Sequence, residues 1–207
     1  MSSVSTTELP ITRMKAEDRR ELILAAATAV FGDYGYVGTT TDQVARAAGV
    51  SQPYVVRMFG TKEKLFVAVL QRDLELLMRG FRAAYADDNG MPVQRRLGLA
   101  YVGLISERGV LLSLMHAFVL GSDPVIGEVA RAGFLKVYAF LREEVGLSPE
   151  DAQTFLASGM LANTMIGLRM TDEYNSGPEV QELLMACFPE KLDLVVKLGD
   201  TFKPGPK

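Results

Sequence analysis

The sequence predicts an all-α fold: a three-helix N-terminal unit, a long fourth helix leading out of it, and a larger helical C-terminal part. Three observations carry that prediction. Apolar residues recur every three to four positions along most of the 207 residues, the period of a helix that buries one stripe. No stretch shows the period-two alternation of a half-buried strand. Ser, Thr and Asp stand just ahead of several periodic runs and Gly just after them, which is the start and stop chemistry of helices.

The first helix is predicted from Lys15 to Tyr34, where Leu22, Ile23, Ala26, Val30 and Tyr34 form one stripe and Gly35 supplies the stop. Thr40 and Gln43 have capping-box spacing: the Thr40 hydroxyl takes the Gln43 N–H while the Gln43 side chain reaches back. A short second helix, 41–48, follows. Gly49 ends it, Val50 inserts a small apolar plug, and Ser51 is a good N-cap for a third helix over 52–59. Pro53 is tolerated there because first-turn N–H groups have no intrahelical partner. Gly60 breaks the chain again. Thr61 then caps a long fourth helix with Glu63 in its first turn and Leu65, Phe66, Val69, Leu70, Leu77 and Phe81 on its apolar side. Asp87, Asp88, Asn89 and Gly90 form a turn. Further helices are expected at 92–107, 109–120, 124–145, 149–170 and 179–198, the last open to a break at Pro189. Asp123-Pro124 and Ser148-Pro149-Glu150-Asp151 mark two of these starts.

The charge balance does not announce a nucleic-acid partner. The formal net charge is -3, with 8 Lys/Arg against 7 Asp/Glu in residues 1–64 and 14 against 18 in the remainder, so the N-terminal third is only slightly the more basic. Cys187 is the only cysteine, which excludes an intrachain disulfide and fits a reducing, cytoplasmic setting. The polar N-terminus has no signal-peptide core. The apolar run 109–121 is far short of the ~20 residues of a membrane span. Neither G-x-S-x-G, a P-loop, H-E-x-x-H nor a Cys/His metal spacing occurs, which argues against an enzyme, and no cofactor or metal is expected.

Around Gly49 the small or apolar residues are Val44, Ala45, Ala48, Val50, Val55 and Met58, the positions two short helices need in order to cross closely over a glycine turn. Gln52, Pro53, Tyr54 and Arg57 then point outward. A helix so mounted presents its N-terminal residues to base edges in a major groove while the preceding helix crosses the backbone. The stretch from Gly35 through Thr39-Thr40, QVARAAGVS (43–51) and Arg57-Met58-Phe59-Gly60 to Thr61-Lys62-Glu63-Lys64-Leu65-Phe66 closely resembles the signature of the TetR family of transcriptional regulators, over about residues 16–70.

That resemblance implies a helix-turn-helix, with Thr40, Thr41 and the first turn of the second helix on phosphate, and Lys62 and the N–H groups opening the fourth helix likewise. The physics agrees, because helix N-termini offer unpaired donors and partial positive charge, so an acidic protein needs no large basic patch to hold phosphate. Ser51, Gln52 and Pro53 open the recognition helix. Arg57 suits guanine or phosphate and Gln52 adenine or phosphate, and the sequence does not choose. Many family members carry aromatics where Val56 and Met58 stand; here the contact at the former is lost or passes to Tyr54. For Tyr54, packing on the first helix is the competing reading, and for Arg46 a solvated helix face.

The C-terminal part carries no family motif. Its 149–170 helix is apolar or small on nearly every side, which demands burial on both faces, and Ala157, Gly159, Ala162 and Gly167 permit a close helix approach. By resemblance the last two long helices of each chain form a four-helix dimer interface, so Phe155, Leu161, Met165, Leu168, Leu183, Leu184 and Phe188 are candidate contacts of a homodimer on a two-fold operator. The same resemblance implies a small-molecule site between 65 and 170. Candidate lining residues are Phe81, Tyr85, Tyr101, Met115, His116, Phe118, Phe134 and Tyr138, each of which has ordinary core packing as its alternative. Their character points to an apolar or aromatic effector.

The expected organisation is an arm at 1–14, a helix-turn-helix domain at 15–60, a helical ligand-binding and dimerisation domain at 61–200 and a tail at 201–207. The expected function is a DNA-binding regulator, a repressor released from a palindromic operator by its effector. An activator, and a helical small-molecule-binding or scaffold protein with a weakened DNA-binding domain, stand as alternatives.

Overall fold

The computed structural model describes residues 15–201, so the expected arm and most of the tail lie outside the described residues. The fold is all-helical, and no strand occurs among the described residues. Ten α-helices follow in order: α1 Ala16–Gly38, α2 Thr41–Ala47, α3 Gln52–Phe59, α4 Lys62–Ala86, α5 Val93–Gly103, α6 Val110–Val119, α7 Ile126–Ala139, α8 Pro149–Gly167, α9 Pro178–Cys187 and α10 Leu192–Thr201. Among the described residues no single helix is long and apolar enough to cross a membrane.

The predicted starts hold where a local side chain makes them. Thr40 and Gln43 form the reciprocal capping box, Thr61 Oγ1 accepts from the Lys64 N–H at 3.1 Å, and Ser148 Oγ from that of Asp151 at 3.0 Å. Ser51 occupies the N-cap position of α3 without a side-chain capping bond. Before α7, Asp123 Oδ1 accepts from the Val125 and Ile126 N–H groups at 2.9 and 2.8 Å, so the helix begins at Ile126 rather than 124.

The ends differ more. Gly35 breaks α1 as expected, with φ 66°, but helical turns resume as far as Gly38. The buried Thr39 hydroxyl then ties off this end on the Gly35 carbonyl at 2.7 Å. The segment 92–107 is α-helical only to Gly103 and tightens into a 3-10 turn at Leu104–Ser106. The stretch 124–145 ends in a wide π turn at Phe140–Glu144. The 149–170 helix stops at Gly167, beyond which Arg169 takes a left-handed conformation, φ 56°. The single helix drawn over 179–198 is two, α9 and α10, separated around Pro189 because proline lacks the donor a continuing helix requires.

Three apolar clusters hold these helices. Ile23, Leu24, Ala27 and Phe31 of α1 pack with Val44, Ala45, Val55 and Phe59 of α2 and α3 and with Leu65, Phe66, Val69 and Leu70 of α4. Ala117 and Ile126 reach into the same cluster, so the core crosses the division expected at residue 60. A second cluster joins Leu77, Met78 and Phe81 to Leu97, Val137, Phe140 and Leu141. A third gathers Ile105, Leu111, Ala162, Met165, Leu184, Phe188 and Val195. Since α4 contributes to the first two, it is the beam connecting the N-terminal unit to the rest.

Candidate nucleic-acid interface and ligand cavities

The α2–α3 pair is clamped from below by the buried Val44, Ala45, Ala48 and Val55, and Gly49 turns the chain between them with φ 64°, a conformation glycine adopts freely. This geometry leaves Ser51, Gln52, Pro53, Val56 and Arg57 exposed. Gln52 Nε2 donates to Thr41 Oγ1 at 3.2 Å, tying the first residue of α3 to the first residue of α2. The capped N-termini of α2 and α4 and the side of α3 thus belong to one compact unit.

Tyr54 is half-buried, with the Arg19 guanidinium 5.5 Å and the Arg57 guanidinium 4.9 Å from its ring centre. The packing alternative is therefore present: Tyr54 stacks between α1 and its own helix, which also keeps Arg57 at this surface. Arg46 is paired with Asp42 one turn earlier, and both are largely exposed, so this pair adds little stability. Lys62 is more committed than its exposure on a helix start implied. Its Nζ donates to the carbonyls of Tyr36 at 2.9 Å and Thr39 at 3.1 Å and lies 4.6 Å from the Tyr36 ring centre. It binds the end of α1 to the beginning of α4, and its charge stays beside the exposed Thr40.

The cavities of the C-terminal part include one of about 390 Å³ between α5, α8 and the turn from α9 to α10, lined by Tyr101 and Phe155 among others, and two that take in most of the candidate lining residues. One, about 80 Å³, lies among α4, α5, α6, α7 and α8 and is lined by Phe81, Tyr101, Phe118, Phe134 and Phe155 together with aliphatic residues. Tyr101 donates from its hydroxyl to Asn163 Oδ1 at 2.9 Å. Burial pushes the Tyr101 hydroxyl up to about 12, against the lesser opposing effect of that bond, so it is a neutral donor in the cavity wall. The other cavity, about 800 Å³, lies between the end of α1, α6, the end of α8 and α10; Met115 and His116 line it. The eight candidate lining residues are thus divided. Tyr85 and Tyr138 line neither: Tyr85 is exposed edge-on to Phe140, and Tyr138 packs in the second cluster.

The candidate dimer contacts divide too. Met165, Leu184 and Phe188 are buried in the chain's own third cluster, and the partly buried Phe155 packs against the second, so within the single chain these four already have core partners. Leu161, Leu168 and Leu183 are exposed, as are Met160 and Met185. The α9 register decides this: neighbouring Leu183 and Leu184 face opposite ways, and only the packed structure says which faces in.

One polar site escaped the sequence reading. Asp73 of α4 is completely buried; its Oδ1 accepts from Thr28 of α1 at 3.0 Å and its Oδ2 from Ser113 of α6 at 2.5 Å. Arg72 lies 3.3 Å away. Desolvation raises the Asp73 carboxyl to about 6, against the opposing pull of the two hydroxyls and Arg72. The signal was available, since Asp73 continues the stripe Phe66, Val69, Leu70, Leu77, where an apolar residue belongs. Nearby, Gly32 and Gly109 bring the α1 and α6 backbones together: a Cβ on Gly32 would stand 2.6 Å from Gly109 Cα.

With this geometry in place, known proteins bear on it. The family model described as bacterial regulatory proteins, tetR family, matches residues 23–69, from within α1 to the first two turns of α4. The transcriptional regulator BetI of Rhizobium meliloti is 40% identical over 196 residues, covering 91% of this chain and 95% of that protein. The chain belongs to the TetR family. The transcriptional activator FasR of Mycolicibacterium smegmatis is 42% identical over 72 residues, 35% of this chain; the alignment spans about a third of FasR's length, as it does for RutR of Escherichia coli. Among solved structures, a TetR-like regulator from Rhodococcus sp. RHA1 has a similar fold, with TM-score 0.59 and 20% identity over 90% of this chain and 96% of that one. So has the multidrug binding protein EbrR complexed with malachite green, with TM-score 0.53 and 22% identity over 91% of this chain and 99% of that one. The TetR relatives that match are transcriptional regulators by name, not enzymes.

Proposed function

We propose that this TetR-family chain is a ligand-responsive transcriptional regulator that acts as a homodimer on a two-fold operator, as a repressor released by an apolar or aromatic effector. The observation that carries the DNA-binding reading is the mounting of α3. Its exposed side is fixed to the capped starts of α2 and α4, so Gln52, Tyr54 and Arg57 read bases or phosphates while Thr40, Thr41, Ser51 and Lys62 sit where backbone phosphates pass. Arg46 joins them by exchanging Asp42 for phosphate. The exposed apolar positions Met160, Leu161, Leu168, Leu183 and Met185 on α8 and α9 supply the self-complementary face for the dimer.

The effector reading rests on the aromatic-walled space among α4–α8, and on the likeness to EbrR, whose structure holds malachite green. At about 80 Å³ this space is well below the ~300 Å³ at which ligand pockets begin. An effector therefore spreads its walls, including Phe81 of α4, and α4 carries the displacement to α3. The effector shifts the equilibrium only by its preference for the spread state.

A mobility-shift titration on the intergenic DNA beside the chain's own gene tests the reading. The expected result is a specific complex weakened by salt, with Arg57→Ala and Tyr54→Ala each lowering affinity by roughly tenfold or more, from the ~1–3 kcal/mol of one good contact. A scaffold protein would show no specific complex, and neither substitution would matter.

A further inference from the structure

We propose that the α1–α6–α8 cavity is a second small-molecule site, selective for an uncharged apolar molecule that carries one hydroxyl or N–H donor. It is separate from the effector space among α4–α8, and it does not depend on the DNA-binding reading. At about 800 Å³ it already has the size of a ligand pocket, typically ~300–1,000 Å³, so no wall has to move to admit an occupant. Leu104, Ile105, Leu112, Met115 and Ile166 line its apolar part.

The charges around it disfavour a charged ligand in its apolar part. Asp33 is paired with Arg108 at 2.6 Å and Asp172 with Arg169 at 2.5 Å. Glu107, the remaining lining carboxylate, is exposed to water. An anion there would lose its hydration with Arg169 already paired, and a cation would be held by Glu107 at the water-exposed rim rather than in the apolar part.

The polar selectivity comes from His116. Its Nε2 faces the Gly32 carbonyl at 3.3 Å; because a carbonyl only accepts, the proton of a neutral ring resides on Nε2. Nδ1 is then an acceptor to which no described residue donates, and it is open to solvent on the cavity-lining residue His116. The ring stays in place because Gly35, which adopts φ 66°, leaves room for it: a Cβ there would stand 3.3 Å from the ring. A donor on the ligand completes this acceptor, and the ligand body extends along Met115 and Leu112. Such a ligand touches the last turns of α1 and the face of α6 together, at the seam between the N-terminal unit and the rest.

The test uses full-length protein with ¹³C-labelled methionine methyls, titrated without DNA with 2-naphthol and with 2-methoxynaphthalene, which has the same body but no donor. The Met115 methyl, assigned by Met115→Leu, is expected to shift saturably with 2-naphthol. The Met160 methyl, on the α4–α8 space, is expected to stay. The ether is expected to bind about tenfold more weakly, the usual worth of one completed hydrogen bond. Leu112→Trp, which fills the cavity, is expected to weaken 2-naphthol at least tenfold while the remaining methionine methyls keep their positions. A shift at Met160 without one at Met115, equal affinity for the two probes, or no shift at millimolar 2-naphthol would each overturn the proposal. Since DNA is absent, these outcomes are independent of whether the chain binds an operator.

Discussion

Replacing Asp73 by Asn should make the protein more stable at pH 7.5. A buried carboxyl raised from 3.8 to about 6 favours the protonated form in the folded state. The folded chain therefore binds more protons than the unfolded chain between those two values, and stability is lost as pH rises through that window. A shift of that size corresponds to about 3 kcal/mol at pH 7.5, falling to about 1.5 kcal/mol at pH 5 and to little below pH 4. The carboxamide of the variant would carry no charge, and its partners allow it. Thr28 still donates to the amide oxygen. Ser113, whose hydroxyl also lies 3.0 Å from the Val110 carbonyl, turns to that acceptor and receives the amide N–H. Urea unfolding of both proteins at one protein concentration, from pH 5 to 7.5, isolates Asp73, because every other carboxylate is common to the pair. The expected difference favours Asp73→Asn throughout and widens with pH. A variant less stable than the parent at pH 7.5, or a difference that narrows as pH rises, would show that the hydroxyls and Arg72 outweigh desolvation, and the reasoning would fail.

Three further outcomes follow from the packing. Gly109→Ala should lower stability by at least about 2 kcal/mol, seen as a drop in Tm of several degrees: the position has φ 87°, and a methyl would land on the Thr28 carbonyl and 2.8 Å from the Ala29 Cα. Thr40→Ala removes one half of the capping box and should cost about 1 kcal/mol by denaturant unfolding, while weakening operator binding in the same mobility-shift assay. Leu161→Asp combined with Leu183→Asp should leave the far-UV circular dichroism unchanged, since both side chains are exposed, yet shift the sedimentation of the proposed dimer to that of a monomer. Sedimentation identical for the variant and the parent would refute the proposed α8–α9 interface.

The features legible in the residues alone lie within a few positions of one another along the chain. The capping box of Thr40 and Gln43, the Thr61 and Ser148 caps, the Gly49 turn and the outward side of α3 are local, because a helix end is satisfied by neighbours three residues away and a helix face follows from its period. Those signals sufficed for the all-helical fold and for the DNA-binding unit. The tertiary structure alone decided matters that depend on distant partners. Asp73 meets Thr28 and Ser113, 45 and 40 residues away, and Lys62 binds the carbonyls of Tyr36 and Thr39 at the end of α1, 26 and 23 residues before it. No local pattern encodes such pairings. The division of candidate dimer residues into core and surface had the same origin: α8 and α9 are apolar on several faces, so periodicity could not choose between the chain's own core and a partner. The two cavities are likewise properties of how α1, α4, α6 and α8 meet, which is fixed by backbone approaches such as Gly32 on Gly109 and not by either helix alone.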